Sequence, residues 1–149
     1  MRRLLIHAAF IAAVLGIGLL IGSTTRPDAW YAALAKPPFN PPNWVFAPVW
    51  STLYVMIAIA GARTFERGMN RGFALWLAQM ALNFAWTPVF FGLHRIDLAM
   101  AVIALTLIAI LAFIADRWRA DPVAAWLFVP YAAWVAFASV LNASILWLN

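Results

Sequence analysis

The sequence predicts an all-α integral membrane protein: five transmembrane helices in a bundle, with a long first loop capping a pocket inside it. Three observations carry this. Of 149 residues, 66% are hydrophobic and 10% charged, with a mean hydropathy of +0.89, which leaves too little polar surface for a soluble domain of this length. The apolar runs exceed the ~18 residues that mark a membrane-spanning helix, and they do not alternate as the roughly 10-residue strands of a membrane barrel would. One long stretch interrupts them with prolines and polar groups, running from Trp30 and Tyr31 through Lys36-Pro37-Pro38-Phe39-Asn40-Pro41-Pro42-Asn43-Trp44.

The spans fall at Leu4–Gly22, Val45–Arg63, Phe73–Gly92, Leu98–Ala115 and Val123–Leu148, one membrane domain over residues 1–149 with a lid loop at 23–44. The first run follows Arg2-Arg3 as a signal peptide would. It extends to Gly22 with no small-x-small cleavage site behind it, so it reads as a retained helix. In the loop, Asp28 has the chemistry to cap a short helix that Pro37 ends. The four prolines from Pro37 to Pro42 stiffen the second half of the loop, while Trp30, Tyr31, Phe39 and Trp44 give the loop an aromatic character that a solvated linker does not need. The other connections, Thr64–Gly72, Leu93–Asp97 and Asp116–Pro122, are short, so neighbouring helices are expected as antiparallel hairpins. Asp97 and the Asp121-Pro122 pair carry helix-start chemistry.

The net charge of +5 comes from residues at span ends. Arg2, Arg3, Arg63, Arg67, Arg71, Arg117 and Arg119 gather on one side, against Arg26, Lys36 and Arg95 on the other. The positive-inside rule then places the N-terminus inside, with the lid loop and C-terminus outside, in a multi-pass protein expected in a bacterial cell envelope. This distribution is a topology signal, not a nucleic-acid-binding patch. Cysteine is absent, which excludes disulfides and thiolate chemistry. No charged residue lies mid-span, which argues against a proton relay. His7 and His94 sit near opposite faces and read as ordinary boundary residues, not metal or haem ligands. Ser51, Ser139 and Ser144 have no intramembrane histidine to activate them.

The third span carries two stripes at helical spacing. Ala74, Ala78, Ala81 and Ala85 suit close packing against another helix or a second subunit. Gln79, Asn83, Trp86 and Phe90 lie about 100° away, and offer either interhelical hydrogen bonds, at ~0.6–2 kcal/mol each, or the wall of a cavity. Taken alone, this helix favours the interhelical bonds. Depth shifts the balance. Asn83 lies about 14 Å from the outer end of its span at 1.5 Å per residue, and Trp50 and Tyr54 enter the second span from the same face. Trp134, Ala138 and Asn142 share a face in the outer half of the fifth, and Gly16, Gly18 and Gly22 thin the first. A pocket beneath the lid accounts for all of these together. Trp44, Trp76, Trp118, Trp126 and Trp147 lie near span ends and are assigned to the interfacial belts. Pro88 and Pro130 predict kinks.

Three blocks in order carry a resemblance to a known family. They are Trp30-Tyr31-x5-Pro37-x3-Pro41-Pro42-x-Trp44-Val45-Phe46 with Trp50-x3-Tyr54; Asn83-x2-Trp86-Thr87-Pro88-x-Phe90-Phe91-Gly92; and Phe128-Val129-Pro130-Tyr131-x2-Trp134 running to Leu141-Asn142. In these the chain resembles the TspO/MBR family, the tryptophan-rich sensory proteins that include the mitochondrial translocator protein, or peripheral benzodiazepine receptor.

The resemblance implies a five-helix bundle, usually a homodimer, whose pocket takes porphyrins such as protoporphyrin IX and haem, or isoquinoline and benzodiazepine compounds. These are ligands, and no resident cofactor is required. Carried over by position, the pocket takes Tyr31 and Pro42 from the lid region, Trp50 and Tyr54 from the second span, Asn83, Trp86 and Phe90 from the third, and Trp134, Ala138 and Asn142 from the fifth. The alanine stripe matches the family's dimer contact. Some bacterial members degrade porphyrin in light, and the resemblance assigns that chemistry to Trp50 and Trp134. The animal sterol motif needs a tyrosine followed by a basic residue. Leu141 to Trp147 has neither, so tight cholesterol binding there is not expected. The function expected is a tetrapyrrole receptor or sensor affecting porphyrin transport or regulation. The alternatives are a light- and oxygen-dependent porphyrin-degrading enzyme and a structural scaffold.

Overall fold

A computed structural model describes residues Met1–Asn149. It contains six α-helices: α1 (Arg2–Thr24), α2 (Ala29–Ala33), α3 (Asn43–Glu66), α4 (Arg71–Thr87), α5 (Ile96–Ala120) and α6 (Pro122–Leu148). All but α2 belong to the five segments long and apolar enough to cross a membrane. The long helices α1, α3 and α5 run past their predicted spans at both ends, because the span counts apolar residues while the helix continues into the polar boundary. α4 and α6 start early, α6 ends at the predicted Leu148, and α4 stops at Thr87, short of the predicted Gly92. The turns shrink accordingly, and Asp121 alone separates α5 from α6.

Pro88 ends the α-helical part of the third span. It opens a single π turn over Pro88–Gly92, closed by Leu93 N–H donating to Pro88 O at 2.9 Å. A proline lacks the N–H of the normal ladder, and one wide turn is a common way to resume it. α6 passes through Pro130 unbroken.

Around the bundle α1 packs on α3, α3 on α6, α6 on α5 and α5 on α4, and α4 closes the ring more loosely against α3 and α1. The hairpins expected at α4–α5 and α5–α6 are close-packed, whereas α3 and α4 are held further apart. The reason is Trp76, whose ring fills the space between them. A Cβ on Gly61 would stand 2.3 Å from that ring, and Trp76 Nε1 donates to Ile57 O at 2.9 Å. The assignment of Trp76 to an interfacial belt is therefore wrong. It is 5% exposed and part of the core, whereas Trp44, Trp118, Trp126 and Trp147 are 47% to 90% exposed. Position near a span end does not distinguish an outward indole from one turned across to the next helix.

Helix ends follow their caps. Asp28 accepts from Tyr31 N–H at 3.1 Å to start α2, which ends at Ala33, short of Pro37. Lys36 Nζ closes it by donating to Tyr31 O at 2.7 Å and Leu34 O at 3.1 Å. Asp97 lies in the first turn of α5 behind the cap residue Arg95, with which it forms a two-bond ion pair.

Asp121 caps α6 and receives Arg63 at 2.8 and 3.1 Å and Arg67 at 2.7 Å. Burial opposes its ionisation, but the hydrogen bonds from Arg63 and Ala124 N–H, with both guanidinium charges, outweigh this and hold its carboxyl below the usual range. This knot ties the end of α3 to the start of α6.

Candidate ligand site beneath the lid

The lid is fastened on three sides. Trp30 stacks on His94 with centroids 4.2 Å apart and planes 14° from parallel, and His94 Nε2 meets Asp28 Oδ2 at 3.1 Å. His94, at φ +55°, sits just past the π turn, so that turn brings its ring beneath Trp30. The Tyr31 N–H, with His94, holds the Asp28 carboxyl below its ordinary range.

Opposite, Asn149 forms two bonds to Ala35. Its Oδ1 accepts from Ala35 N–H at 3.0 Å, and its Nδ2 donates to Ala35 O at 2.9 Å. In the middle, Phe39 meets Phe137 edge-on at 6.3 Å. His94 is thus more than the boundary residue its sequence position suggests.

Under the lid the expected site residues form three groups. Tyr31 is buried against Phe90 and Phe91, burial raising its phenol pKa. Trp86 stacks on Phe90 at 4.9 Å and its Nε1 donates to Asn142 Oδ1 at 3.0 Å. Asn142 Nδ2 donates in turn to Ile96 O at 3.2 Å. In the second group Trp50 lies 5.4 Å from Tyr54 and 6.3 Å from Tyr131.

The second group is threaded by one chain of hydrogen bonds. Tyr54 Oη donates to Asn83 Oδ1 at 3.1 Å, Asn83 Nδ2 to Tyr131 Oη at 2.7 Å, Tyr131 Oη to Gln79 Oε1 at 2.8 Å, and Gln79 Nε2 to Trp76 O at 2.9 Å. All donors point one way, an arrangement in which each bond polarises the next. It joins α3, α4 and α6. This is the interhelical use of Gln79 and Asn83 that their spacing on α4 favours.

The third group is centred on Trp134, between Phe46 at 6.0 Å and Phe137 at 5.6 Å. Its Nε1 is buried and has no hydrogen-bond partner. A buried indole N–H normally finds an acceptor, so this one is available to a ligand. Ala138, one turn on, is half-buried and packs against the core with its small side chain.

Pro42 meets only the first group, through Tyr31. It precedes Asn43 at the start of α3 and lines, with Tyr31, Lys36 and Asn40, a concavity of about 500 Å³ in the lid. Asn40 Oδ1 is buried without a partner. The alanine stripe faces outward, with Ala74, Ala78 and Ala81 exposed and Ala85 half-buried, about 100° round the helix from the buried Gln79 and Asn83.

The sequence offers Tyr131 and Phe46 only within the family blocks and not as site residues, and gives no place to Phe137 or Asn149. Tyr131 is discoverable, being one turn before Trp134 on the same helix and the largest fully buried side chain. Asn149 carries no such signal, since its role exists only once the end of α6 meets the lid.

The description "TspO/MBR family" belongs to the family model that matches residues 9–148. The chain is 41% identical over 133 residues to Protein CrtK of Rhodobacter capsulatus, covering 86% of this chain and 83% of that one. It is 38% identical over 141 residues to the tryptophan-rich sensory protein of Cereibacter sphaeroides, covering 94% and 89%. It is also 38% identical over 134 residues to the translocator protein of Bos taurus, covering 84% and 79%. With its five membrane-length helices, its fastened lid and a match along nearly its whole length, this chain belongs to the TspO/MBR family.

Proposed function

We propose that this protein is a membrane receptor or sensor that binds a tetrapyrrole, protoporphyrin IX or haem, between α3 and α6 beneath the lid, and acts in porphyrin transport or regulation. The observation that carries this reading is the unpartnered, buried Trp134 Nε1 within a ring-lined region. Indole and phenyl faces stack on a flat macrocycle, at about 0.5–1.5 kcal/mol per aromatic pair beyond burial, and the free N–H supplies a hydrogen bond to a ring substituent. Asn83 and Asn142 act one layer back, by holding Tyr54, Tyr131 and Trp86 in place. Entry requires the lid to lift at its few fastenings. Flat isoquinoline and benzodiazepine compounds fit the same chemistry.

In this reading the arginine-rich end faces the cytoplasm of a bacterial cell envelope, the lid faces outward, and the alanine stripe of α4 joins two copies. Titration with protoporphyrin IX, followed by the porphyrin absorption band, tests it. Trp134→Phe should weaken binding several-fold, while unchanged affinity in Trp134→Phe and Trp134→Leu would move the site elsewhere.

Light-driven porphyrin breakdown is a second reading, favoured by the Trp50–Tyr54–Tyr131 ring contacts, which offer an oxidised indole neighbouring phenols. Irradiation of the complex in air should then destroy porphyrin faster than free-pigment bleaching and lose that excess in Trp50→Phe. Equal rates would reject it.

A further inference from the structure

Seven arginines, Arg2, Arg3, Arg63, Arg67, Arg71, Arg117 and Arg119, lie where α1 begins, α3 ends, α4 begins and α5 turns into α6, against Glu66, Asp116 and Asp121. Asp116 receives Arg71 and Arg117. Asp121 alone receives Arg63 and Arg67. Arg3, from the other helix, comes no closer than 3.9 Å to Glu66, and its side chain is 89% exposed. Between Arg3, Arg63, Glu66 and Arg67 is a concavity of about 330 Å³. Topology asks for positive charge at this end of the bundle, but it does not ask arginines from α1 and α3 to converge on one hollow.

The donors left over are specific. Arg63 spends Nε and Nη2 on Asp121, and Arg67 spends Nη1 on Asp121 and Arg63 O. Arg63 Nη1, Arg67 Nε and Nη2 and nearly the whole Arg3 guanidinium remain. Planar forks of this kind match the oxygens of a phosphate. The surroundings select among phosphates. Leu4, Leu5 and Phe65, within two residues of the lining residues in the chain, are exposed at the ends of membrane-length helices, where acyl chains would lie and a soluble anion would have no use for them. We propose that this concavity binds the phosphodiester of an anionic phospholipid, at a site separate from the one under the lid.

Native mass spectrometry of the detergent-solubilised full chain, offered equal phosphatidylglycerol and phosphatidylcholine of identical acyl chains, tests this. Phosphatidylglycerol should be retained preferentially. Arg3→Gln, which leaves the Asp121 knot untouched, should reduce the preference about fivefold, on the scale of one basic residue at an anionic membrane surface. Glu66→Gln should increase it. Inorganic phosphate at millimolar concentration should not displace the lipid. Equal retention of the two lipids, or a preference unchanged in both variants, would overturn the proposal. Arginine-dependent binding of inorganic phosphate without a lipid preference would overturn the lipid assignment.

Discussion

Asn83 Nδ2 donates to Tyr131 Oη at 2.7 Å, joining α4 to α6 through two buried side chains. In hydrocarbon there is no water to take over either group. Tyr131→Phe removes the acceptor of Asn83 and the donor to Gln79 Oε1, leaving two buried polar atoms unpaired. A loss of about 1–3 kcal/mol is expected, read as a lowered midpoint of thermal unfolding in detergent. An unchanged midpoint would mean that the chain of bonds contributes nothing to holding the helices.

Glycines on α1 and α3 should respond to alanine in opposite ways. A Cβ on Gly61 meets the Trp76 ring at 2.3 Å, and that ring is tethered to Ile57 O and cannot simply swing away. Gly61→Ala should destabilise by about 1–3 kcal/mol, as overpacking does. Gly16 and Gly22 have nothing within 4 Å, so alanine there should be neutral or raise stability by up to about 1 kcal/mol. Unfolding midpoints of the three variants, measured side by side, check this.

Asp121 sets an acid limit. Its folded-state pKa is depressed, so its contribution to stability is full above the ordinary carboxylate value of about 3.9 and is lost as pH falls through the folded-state value. Asp121→Asn keeps a capping oxygen while removing the ion pairs with Arg63 and Arg67. Near neutral pH it should lower the unfolding midpoint relative to wild type, and the difference should shrink below about pH 4. A difference independent of pH would assign the effect to packing.

Asn149 and His94 fasten opposite sides of the lid. Asn149→Ala should speed hydrogen exchange at the Ala35 amide, whose acceptor it removes, and His94→Ala should do so around Trp30. Neither should alter exchange in the middle of α4 or α6. Unchanged lid exchange in both variants would show that Phe39 and Tyr31 hold the lid unaided.

Much of this architecture is readable in the chain because a bilayer permits few solutions. Hydropathy locates the five spans, and Asp28 and the Asp121-Pro122 pair start their helices as their chemistry indicates. The four-residue spacing of Gln79 and Asn83 places both on the buried side of α4, with the alanines outward. What escapes is lateral order. Sequence adjacency suggests a tight α3–α4 hairpin, yet α3 finds its close neighbours in α1 and α6, with the Trp76 ring filling the space between α3 and α4. The commitment of Asn83 and Asn142 to Tyr54, Tyr131, Trp86 and Ile96 O also depends on partners from distant segments, which helical periodicity cannot name.

The central claim is that a tetrapyrrole occupies the ring-lined region beside Trp134, and Ala138→Phe tests it most directly. Ala138 is small, half-buried and one turn from Trp134, and it takes no part in the hydrogen-bond chain through Asn83. Protoporphyrin IX should bind wild type and lose at least tenfold in affinity in Ala138→Phe, with the free variant still unfolding in one cooperative transition. Equal affinity in a variant that unfolds like wild type would place the pigment elsewhere and contradict the account.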